Sequence, residues 1–367
     1  MNRTMVDVLI KSWLEPEHVE RIRESDPRVR VLYDTEMLPP PQGRRRLLYR
    51  EESLPEPRDF SRTPEQERAW QEQLAQAEVI LDIHLDDLDT LQASAPGLRW
   101  LQAGAAGAGE AVAGTGLLEA GVTVTTGSGI FSGPLAEFTV AAILAHVKDL
   151  DRLGRQRRER YWHTAATGTL KDKTVCIVGM GSIGEEVARC LHPFGCRLTG
   201  VRRSVTGRGT ALGRGTGRGS ENTWLLSSVH PAEGLAEAVA EADYVVVTLP
   251  ATPQTHHLFD APLIKAMKPG SYVVNVGRGA VIDEPALIAA LGSGHLSGAA
   301  LDVTETEPLP VDSPLWDLPN VLLGYHATAM TTGGTANKLL TDIFCDNLRR
   351  YLDGRPLRNQ VDPAHLY

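Results

Sequence analysis

The run TVCIVGMGSIGEEVARC is the feature that most limits which folds this chain can adopt. It joins a Val/Ile-rich strand to an amphipathic helix through a Gly-x-Gly-x-x-Gly turn. Gly179 permits the tight turn, Gly181 lets an anion approach the backbone, and Gly184 lets the helix pack closely on the strand. Ser182 and Ile183 then lie at the start of the helix, where N–H groups and the positive dipole end attract a pyrophosphate. The run therefore predicts a parallel α/β sheet that binds a dinucleotide.

Strand-like and helix-like segments alternate along most of the chain. Before the glycine motif they include VDVLIKSW, EPEHVERIRES and RVRVLYD, and after it RLTGVRR, DYVVVTLP, SYVVNVG, LSGAALDV and NVLLGYH. Such alternation predicts parallel sheets covered by helices on both faces. Because 367 residues are enough for two cores, we expect an α/β protein with two doubly wound parallel-sheet domains.

Two segments interrupt this alternation. Residues 35–68 are rich in proline and charge, which predicts a surface excursion. Its run from Arg44 to Arg46 is interpreted as a solvated loop, with a substrate-facing role as the alternative. Residues 206–220, TGRGTALGRGTGRGS, bury almost no apolar surface, so we expect a mobile loop there.

Composition excludes several classes of protein. The formal net charge of -9 argues against binding to nucleic acid or to an acidic membrane surface, because phosphate contacts require a basic surface. No apolar run approaches the roughly 18 residues of a membrane span, and the first apolar run is too short for a signal peptide. The four cysteines show no metal-ligand spacing and are typical of a reducing compartment. We therefore expect a cytoplasmic protein without a metal site.

The strand RLTGV, which follows the motif helix, ends in Arg202, Arg203 and Ser204. In a βαβ dinucleotide unit this position contacts the adenosine ribose, and NAD enzymes place a carboxylate there to accept from the 2′-hydroxyl. The three residues include no carboxylate, whereas two guanidiniums and a hydroxyl suit the 2′-phosphate of NADP. We expect NADP as the cofactor, with NAD as the second choice. The alternative is that both arginines are solvated surface charges.

Three residues at the ends of later strands form a candidate catalytic set. Arg278 follows SYVVNVG, Glu307 follows LSGAALDV, and His326 ends NVLLGYH. Ligands of doubly wound sheets bind at the carboxyl ends of the strands, so the three residues could converge. An arginine binds a carboxylate through its bidentate fork, and a histidine transfers protons near neutral pH. A nearby carboxylate favours the charged histidine and orients its ring.

Together these residue types suit hydride transfer between a 2-keto acid and a 2-hydroxy acid. Each alone has a structural explanation, as a surface arginine, a loop glutamate or a strand-end histidine. Their joint position after the glycine motif favours the catalytic interpretation.

The order of GMGSIG, LPATPQT, NVGRGAVIDE, ALDVTETEPLP and DSPLWDLPNVLLGYHA closely resembles the D-isomer-specific 2-hydroxyacid dehydrogenase family, which includes glyoxylate and hydroxypyruvate reductases. The resemblance covers essentially the whole chain and is most specific from Lys171 to Ala327. It implies an NAD(P)-dependent enzyme that acts on a small-molecule 2-keto or D-2-hydroxy acid. The catalytic roles fall on Arg278, Glu307 and His326. Glu305 lies nearby, but the family's glutamate directly precedes the proline of EPLP.

The resemblance also implies the domain organisation. A flavodoxin-like substrate-binding domain takes residues 1–125 and 328–367, and a Rossmann NAD(P)-binding domain takes residues 126–327, inserted between them. The active site is then expected in the cleft between the domains, where closure excludes water. A homodimer through the cofactor domain, involving the helix PLAEFTVAAILAHV, is implied as well.

Further site residues follow from the same resemblance. Asp302 is implied to hold the nicotinamide carboxamide. Other residues of the matched motifs are implied to line the cofactor, namely Leu249, Pro250, Thr255, Val276 and Gly277. Backbone amides of the loop QAGAAGAG are implied to bind the substrate carboxylate, from Ala103, Gly104, Ala105, Ala106 and Gly107.

Three features depart from the family pattern. Tyr325 stands directly before His326, where members usually have proline. The loop QAGAAGAG is small and apolar, so it offers backbone donors and little side-chain selectivity, and the 206–220 loop is longer than usual.

Two alternative functions are considered. One is a formate dehydrogenase, which is disfavoured because that group has glutamine where Glu307 stands. The other is a dinucleotide-sensing regulator like the family's corepressor branch, with weak dehydrogenase activity, which the acidic charge disfavours. Turnover with a 2-keto acid distinguishes an enzyme from a regulator.

Overall fold

A computed structural model describes residues 5–39, 60–83, 85–203, 225–330 and 334–363. The chain consists of two compact units. Unit 1 is Met1–Ile130 with Thr331–Tyr367, and unit 2 is Phe131–Met330. In the sequence, unit 2 is therefore inserted into unit 1.

Strands and helices alternate through both units. The strands are β1 (Val6–Ile10), β2 (Val29–Leu32), β3 (Val79–Leu81), β4 (Trp100–Gln102), β5 (Thr123–Thr125), β6 (Thr174–Val178), β7 (Arg197–Arg202), β8 (Ser228–Pro231), β9 (Tyr244–Val247), β10 (Ser271–Asn275), β11 (Leu296–Leu301) and β12 (Val321–Leu323). The α-helices are α1 (Pro16–Arg23), α2 (Pro64–Gln76), α3 (Leu91–Ser94), α4 (Ala108–Val112), α5 (Ser132–Val147), α6 (Leu150–Glu159), α7 (Ser182–Leu191), α8 (Leu235–Ala240), α9 (Ala261–Ala266), α10 (Glu284–Gly292) and α11 (Thr335–Leu352). Short 3-10 helices lie at Thr35–Met37, Leu85–Thr90, His192–Phe194, Ala232–Gly234, Gly279–Val281 and Pro314–Trp316.

Each unit contains one parallel sheet. The sheet of unit 1 has the order β2-β1-β3-β4-β5, and the sheet of unit 2 has the order β12-β11-β10-β9-β6-β7-β8. The first is the flavodoxin-like order, and the second is the order of dinucleotide-binding sheets with one further strand. The predicted fold class is therefore confirmed. In unit 2 the order reverses between β6 and β9, so the glycine motif after β6 lies at the point where such sheets bind ligands.

Residues of β6 pack on both faces of the sheet of unit 2. Val175 and Ile177 belong to one apolar cluster with residues of α5 and α7. Cys176 and Val178 belong to a second cluster with residues of α8 and α10. A strand covered on both faces has a continuous apolar sequence, as TVCIV does. The strands that lead to the carboxyl edge of this sheet are therefore packed against apolar side chains on both faces.

Part of the predicted 35–68 excursion is helical. The Gln66 N–H donates to Thr63 Oγ1 at 3.2 Å, and the Thr63 N–H donates to Gln66 Oε1 at 2.9 Å, so a capping box starts α2. Pro64 at the first helical position favours the same start. Residues 64–68 of the predicted excursion therefore belong to α2. The run from Arg44 to Arg46 and the 206–220 loop lie outside the described residues.

Three general features of the described ranges bear on function. No helix in them is long and apolar enough to cross a bilayer. Within the same ranges, no group of three or more His, Cys, Asp or Glu side chains is arranged to hold a metal ion. The four cysteines are free thiols, and two of them are buried.

Candidate active site

The glycine motif forms a turn that larger residues cannot adopt. Gly179 has a φ of +107°, and a Cβ there would lie 2.7 Å from Thr248 Oγ1. Thr248 Oγ1 in turn donates to the Gly179 carbonyl oxygen at 2.5 Å. A Cβ at Gly184 would overlap that same carbonyl oxygen. Glycine at both positions therefore allows α7 to pack directly against the end of β6.

The N-terminus of α7 fits a pyrophosphate. Gly181 is the N-cap of α7. Because glycine has no side chain, the N-cap residue does not cap the first turn, which begins with Ser182 and Ile183. A Cβ at Gly181 would meet no described atom within 4 Å, so there is room beside the turn. N–H groups at a helix N-terminus lack intrahelical partners and attract anions. The predicted dinucleotide residues of this motif thus form a cradle that suits the pyrophosphate of NAD(P).

The loops after β9 and β10 pack against each other at the same edge of the sheet. A Cβ at Gly277 would lie 2.8 Å from the Leu249 N, so Gly277 packs tightly on Leu249. The neighbouring Val276 N–H donates to the Val247 carbonyl oxygen at 3.0 Å, at the end of β9. Thr255 Oγ1 donates to the Pro250 carbonyl oxygen at 2.7 Å, which closes the turn after Leu249. The structure therefore brings together the predicted cofactor residues of these two loops.

Arg202 and Arg203 lie at the end of β7, which pairs with β6. Arg202 is half-buried and Arg203 is exposed. Burial raises the pKa of the Glu185 carboxyl on the first turn of α7, and the positive charge of Arg202 opposes that rise. Arg202 is therefore close enough to the first turn of α7 for its positive charge to act on the Glu185 carboxyl. Ser204 lies outside the described residues.

His326 and Glu307 form a hydrogen-bonded pair. His326 Nδ1 donates to Glu307 Oε2 at 2.7 Å, and the Thr304 N–H donates to Glu307 Oε1 at 3.0 Å. Both carboxylate oxygens are thus held, while the side chains of His326 and Glu307 are 28% and 27% exposed. Because Nδ1 faces the carboxylate, Nε2 lies on the opposite side of the ring from Glu307.

Glu305, the alternative to Glu307, is paired with a different histidine. Its Oε1 accepts from His257 Nε2 at 2.6 Å, and its Oε2 accepts from the Glu284 N–H at 3.3 Å. The Glu305 N–H donates in turn to Glu284 Oε2 at 3.1 Å. Glu305 therefore joins the segment after β11 to the start of α10. Of the two glutamates, Glu307 is the one that reaches His326.

Arg278 lies in a turn that packs on the segment after β11. Asn275 Nδ2 donates to the Arg278 carbonyl oxygen at 3.0 Å, and the Gly277 N–H donates to Asn275 Oδ1 at 3.0 Å. A Cβ at Gly279 would overlap the Thr304 carbonyl oxygen, so only glycine allows this approach. Buried Asn275 was not among the predicted site residues, although a lone amide that ends the apolar run SYVVN is a recognisable signal.

Asp302 organises the turn that carries His326. The His326 N–H donates to the Asp302 carbonyl oxygen at 2.5 Å, and the Thr328 N–H donates to Asp302 Oδ1 at 3.2 Å. Burial raises the pKa of the Asp302 carboxyl, and hydrogen bonds from Thr328 oppose this rise. A Cβ at Gly324 would lie 2.7 Å from Asp302 Oδ1, so the turn packs directly on this side chain. Asp302 thus supports the site, and its contact with the nicotinamide stays a prediction.

Tyr325 gives the same turn an unusual backbone. The φ angles of Tyr325 and His326 are 56° and 48°, in the left-handed region. Proline cannot adopt such an angle, because its ring holds φ near about -65°. The Tyr325 ring stacks on Trp316, with ring centroids 6.0 Å apart and an interplanar angle of 24°. The turn before His326 is therefore one that excludes the proline usual in the resembling family.

The predicted substrate loop after β4 already uses part of its backbone. The Ala103 N–H donates to the Thr125 carbonyl oxygen at 2.7 Å, and the Gly104 N–H donates to Asp82 Oδ1 at 3.3 Å. These two amides are engaged within unit 1, so we narrow the expected substrate donors to three residues. They are Ala105, Ala106 and Gly107.

The residues at the edge of the unit 2 sheet combine four chemical capacities. The glycine turn suits a pyrophosphate, and Arg278 suits a carboxylate. His326 can give or take a proton at an oxygen of a bound molecule. Glu307 accepts a hydrogen bond from the imidazole and orients the ring. This combination is the one required to interconvert a 2-keto acid and a 2-hydroxy acid.

Comparison with known proteins leads to the same chemistry. Residues 140–328 match the family model of the D-isomer specific 2-hydroxyacid dehydrogenase, NAD binding domain. The chain is 34% identical over 255 residues to glyoxylate/hydroxypyruvate reductase B of Pectobacterium carotovorum, a match that covers 68% of this chain and 75% of that relative.

Solved structures are similar over nearly the whole chain. A D-isomer specific 2-hydroxyacid dehydrogenase family protein from Aeromonas salmonicida has a TM-score of 0.72 and 29% identity, with 98% of this chain and 99% of that chain covered. A D-isomer specific 2-hydroxyacid dehydrogenase from Xanthobacter autotrophicus, in complex with NADPH and MES, has a TM-score of 0.71 and 25% identity, with 100% of each chain covered. Because the family model spans about half of the chain and these likenesses extend through both units, the protein belongs to the D-isomer specific 2-hydroxyacid dehydrogenase family and is an NAD(P)-dependent oxidoreductase.

Proposed function

We propose that the protein is an NADPH-preferring reductase of a small 2-keto acid such as glyoxylate or hydroxypyruvate, which it converts to the D-2-hydroxy acid. The observation that carries this proposal is the His326–Glu307 pair at 2.7 Å, at the same sheet edge as the glycine turn. The relative from Pectobacterium carotovorum is named for glyoxylate and hydroxypyruvate, which supports the substrate class.

We assign each residue one role in this reaction. Bound NADPH supplies the hydride that reduces the carbonyl carbon. Arg278 binds the substrate carboxylate and polarises the neighbouring carbonyl. His326 gives its Nε2 proton to the carbonyl oxygen as negative charge develops there. Glu307 accepts from Nδ1 and holds the orientation of the ring during the transfer.

The remaining assignments concern binding. The residues of the glycine turn and of the loops after β9 and β10 hold the cofactor in this proposal, with Asp302 at the carboxamide. The loop after β4 supplies backbone donors to the substrate carboxylate from Ala105, Ala106 and Gly107. The loop's small apolar side chains favour a small substrate, because they offer little specific contact to a large one.

Arg202 and Arg203 support the preference for NADPH. A 2′-phosphate is a dianion that accepts charge-assisted hydrogen bonds from guanidinium groups. The structure from Xanthobacter autotrophicus was solved with NADPH. Both arginines lie at the strand end that follows the motif helix, where a βαβ unit meets the adenosine ribose.

The test is a spectrophotometric panel of glyoxylate, hydroxypyruvate, pyruvate and phenylpyruvate, each measured with NADPH and with NADH. We expect turnover with a small keto acid and a KM for NADPH roughly ten- to a thousand-fold below that for NADH. The double variant Arg202→Ala/Arg203→Ala should raise the KM for NADPH strongly and leave that for NADH nearly unchanged. Added salt should reduce the preference, because exposed charges are screened.

Two outcomes contradict this proposal in different ways. A lower wild-type KM for NADH means that the two arginines are solvated surface charges. Absence of turnover with every keto acid removes the substrate assignment and favours a dinucleotide-sensing role. As a matched control, Arg197→Ala removes an exposed arginine from the opposite end of the same strand and should leave both cofactor KM values unchanged.

We also propose a homodimer formed through the cofactor domain. Several large apolar side chains just after α5 are exposed, and contiguous exposed apolar surface on a protein commonly marks an interface. They are Leu150, Leu153, Tyr161 and Trp162, at 50%, 45%, 58% and 94% exposure.

The proposed location is the cytoplasm. The four cysteines are free thiols, which is typical of a reducing compartment.

The dimer is tested by light scattering after gel filtration. We expect a mass near twice 39.8 kDa for the wild type, and a shift toward the single-chain mass for Leu153→Asp/Trp162→Asp. Charges at these positions oppose burial in an apolar interface. A wild type that elutes with the single-chain mass at micromolar concentration contradicts the homodimer.

A further inference from the structure

Tyr325 and His326 are tied to the two ends of one segment. Residues 307–316 run from Glu307, which accepts from His326 Nδ1 at 2.7 Å, to Trp316, whose ring stacks on Tyr325. Two neighbouring residues therefore contact the first and the last residue of the same ten-residue stretch. Any shift of the turn at Tyr325 relative to this segment changes the geometry of the His326–Glu307 pair.

Trp316 is well placed to anchor that turn. Its indole Nε1 donates to the Pro310 carbonyl oxygen at 2.8 Å, within the same segment. The preceding residue, Leu315, is buried in the core cluster beneath the sheet edge. Ser313 Oγ accepts from the Leu315 N–H at 3.3 Å and caps the 3-10 helix that presents the indole. The indole of Trp316 is thus held within its own segment, and Leu315 anchors that segment in the core.

Tyr325 needs such an anchor because its backbone is strained. Two consecutive residues other than glycine in the left-handed region are uncommon and persist where surrounding contacts hold them. The side chain of Tyr325 is exposed, so burial in the core does not hold it. Stacking on Trp316 within about 7 Å is a favourable arrangement for two aromatic rings.

We propose that the Trp316–Tyr325 stack is a positioning element that holds the turn of His326 so that its Nδ1 meets Glu307. Neither ring touches the reacting atoms in this proposal, and both act through the backbone of residues 324–326. The inference rests on the proposed roles of His326 and Glu307. It assigns to an aromatic pair the task of fixing the turn before the histidine. Proline cannot fix this turn, because its ring does not allow a positive φ.

The test compares variants that lose one of the two aromatic rings with variants that keep both. Tyr325→Gly removes the ring and relieves the left-handed strain, because glycine adopts positive φ readily. Tyr325→Phe keeps the ring and removes only the hydroxyl. Trp316→Ala removes the partner ring. Val311→Ala is the matched control, since Val311 lies in the same segment and is 98% exposed.

We expect Tyr325→Gly and Trp316→Ala each to lower kcat for keto-acid reduction roughly three- to ten-fold, because small displacements of a catalytic group have large effects on rate. The KM for the cofactor should stay unchanged. Tyr325→Phe and Val311→Ala should behave as the wild type.

The double variant Trp316→Ala/Tyr325→Gly should lose no more than about two-fold beyond either single variant, since the rings act as one unit. Multiplied losses, or a Tyr325→Phe variant as impaired as Tyr325→Gly, overturn the inference. An unchanged kcat in both single variants overturns it as well. Failure of the proposed function is distinct from these outcomes, because it appears as an absence of keto-acid turnover in the wild type, before any variant is compared.

Discussion

Two histidine–glutamate pairs lie in the loops at the carboxyl edge of the unit 2 sheet, and they differ in the nitrogen that each histidine uses. His326 meets Glu307 through Nδ1 at 2.7 Å, whereas His257 meets Glu305 through Nε2 at 2.6 Å. The two pairs are similar in exposure, at 28% and 27% for the first and 34% and 30% for the second. Neither distance nor exposure therefore distinguishes them.

The choice of nitrogen does distinguish them. When Nδ1 meets the carboxylate, the tip of the imidazole points away from its partner, and Nε2 is the atom presented for proton transfer. In His257 the tip itself meets the carboxylate. The His257 N–H also donates to the Ala280 carbonyl oxygen at 2.8 Å, and its ring lies 4.1 Å from that of His256. This second pair is built as a brace between loops.

The carboxylates differ in a corresponding way. Glu305 is bound to the Glu284 N–H as well as to His257, so it connects two loops and α10. Glu307 is bound to the Thr304 N–H, three residues earlier in its own segment. The brace therefore fixes the segment after β11 from one side, and Glu307 projects from that fixed segment toward His326. The length of a histidine–carboxylate contact therefore does not identify a catalytic pair by itself. The nitrogen that makes the contact has to be considered as well.

The largest difference between the two pairs should appear on removal of the imidazole. His326→Ala removes the proposed proton donor, so kcat for the best keto acid should fall roughly 100- to 10,000-fold, the usual scale for general acid catalysis. Cofactor affinity, measured by fluorescence titration, should change little. His257→Ala is the matched control and should lower kcat by less than about three-fold, because the two hydrogen bonds between Glu305 and Glu284 still hold the segment after β11.

The comparison fails if the two alanine variants lose activity equally. Wild-type turnover in His326→Ala removes the catalytic assignment of that residue. Near-complete loss in His257→Ala, with the fold intact by circular dichroism, transfers the assignment to the second pair.

Much of this edge was predictable because its requirements are local. The glycine turn after β6 needs residues without a Cβ within one short run, and the sequence shows them at Gly179 and Gly184. The strands of unit 2 that are buried on both faces have continuous apolar runs. The pairing of Glu307 with His326 followed from a family pattern and agrees with the geometry.

The remaining features depend on contacts that sequence spacing does not encode. His257 and Glu305 are far apart in the chain and meet only because two loops close on each other. The strands β5 and β8 are short outer strands of their sheets, and TVT and SVHP carry too little apolar pattern to predict them. The left-handed turn at Tyr325 depends on a tertiary stack with Trp316. Such features follow from packing, which overrides local preference.

A smaller effect should separate the two carboxylates. Glu307→Gln keeps the size of the side chain and removes its charge, so the hydrogen bond that orients His326 is no longer charge-assisted. Because a hydrogen bond to a charged group contributes about 1.5 kcal/mol or more, kcat for keto-acid reduction should fall roughly ten-fold. Glu305→Gln removes a charge two residues away but leaves the Glu307 contact in place, so its kcat should stay within about two-fold of the wild type. Both variants are measured as kcat with saturating cofactor. An unchanged kcat in Glu307→Gln shows that the charge at this position does not act on His326, and a loss confined to Glu305→Gln reverses the roles of the two glutamates.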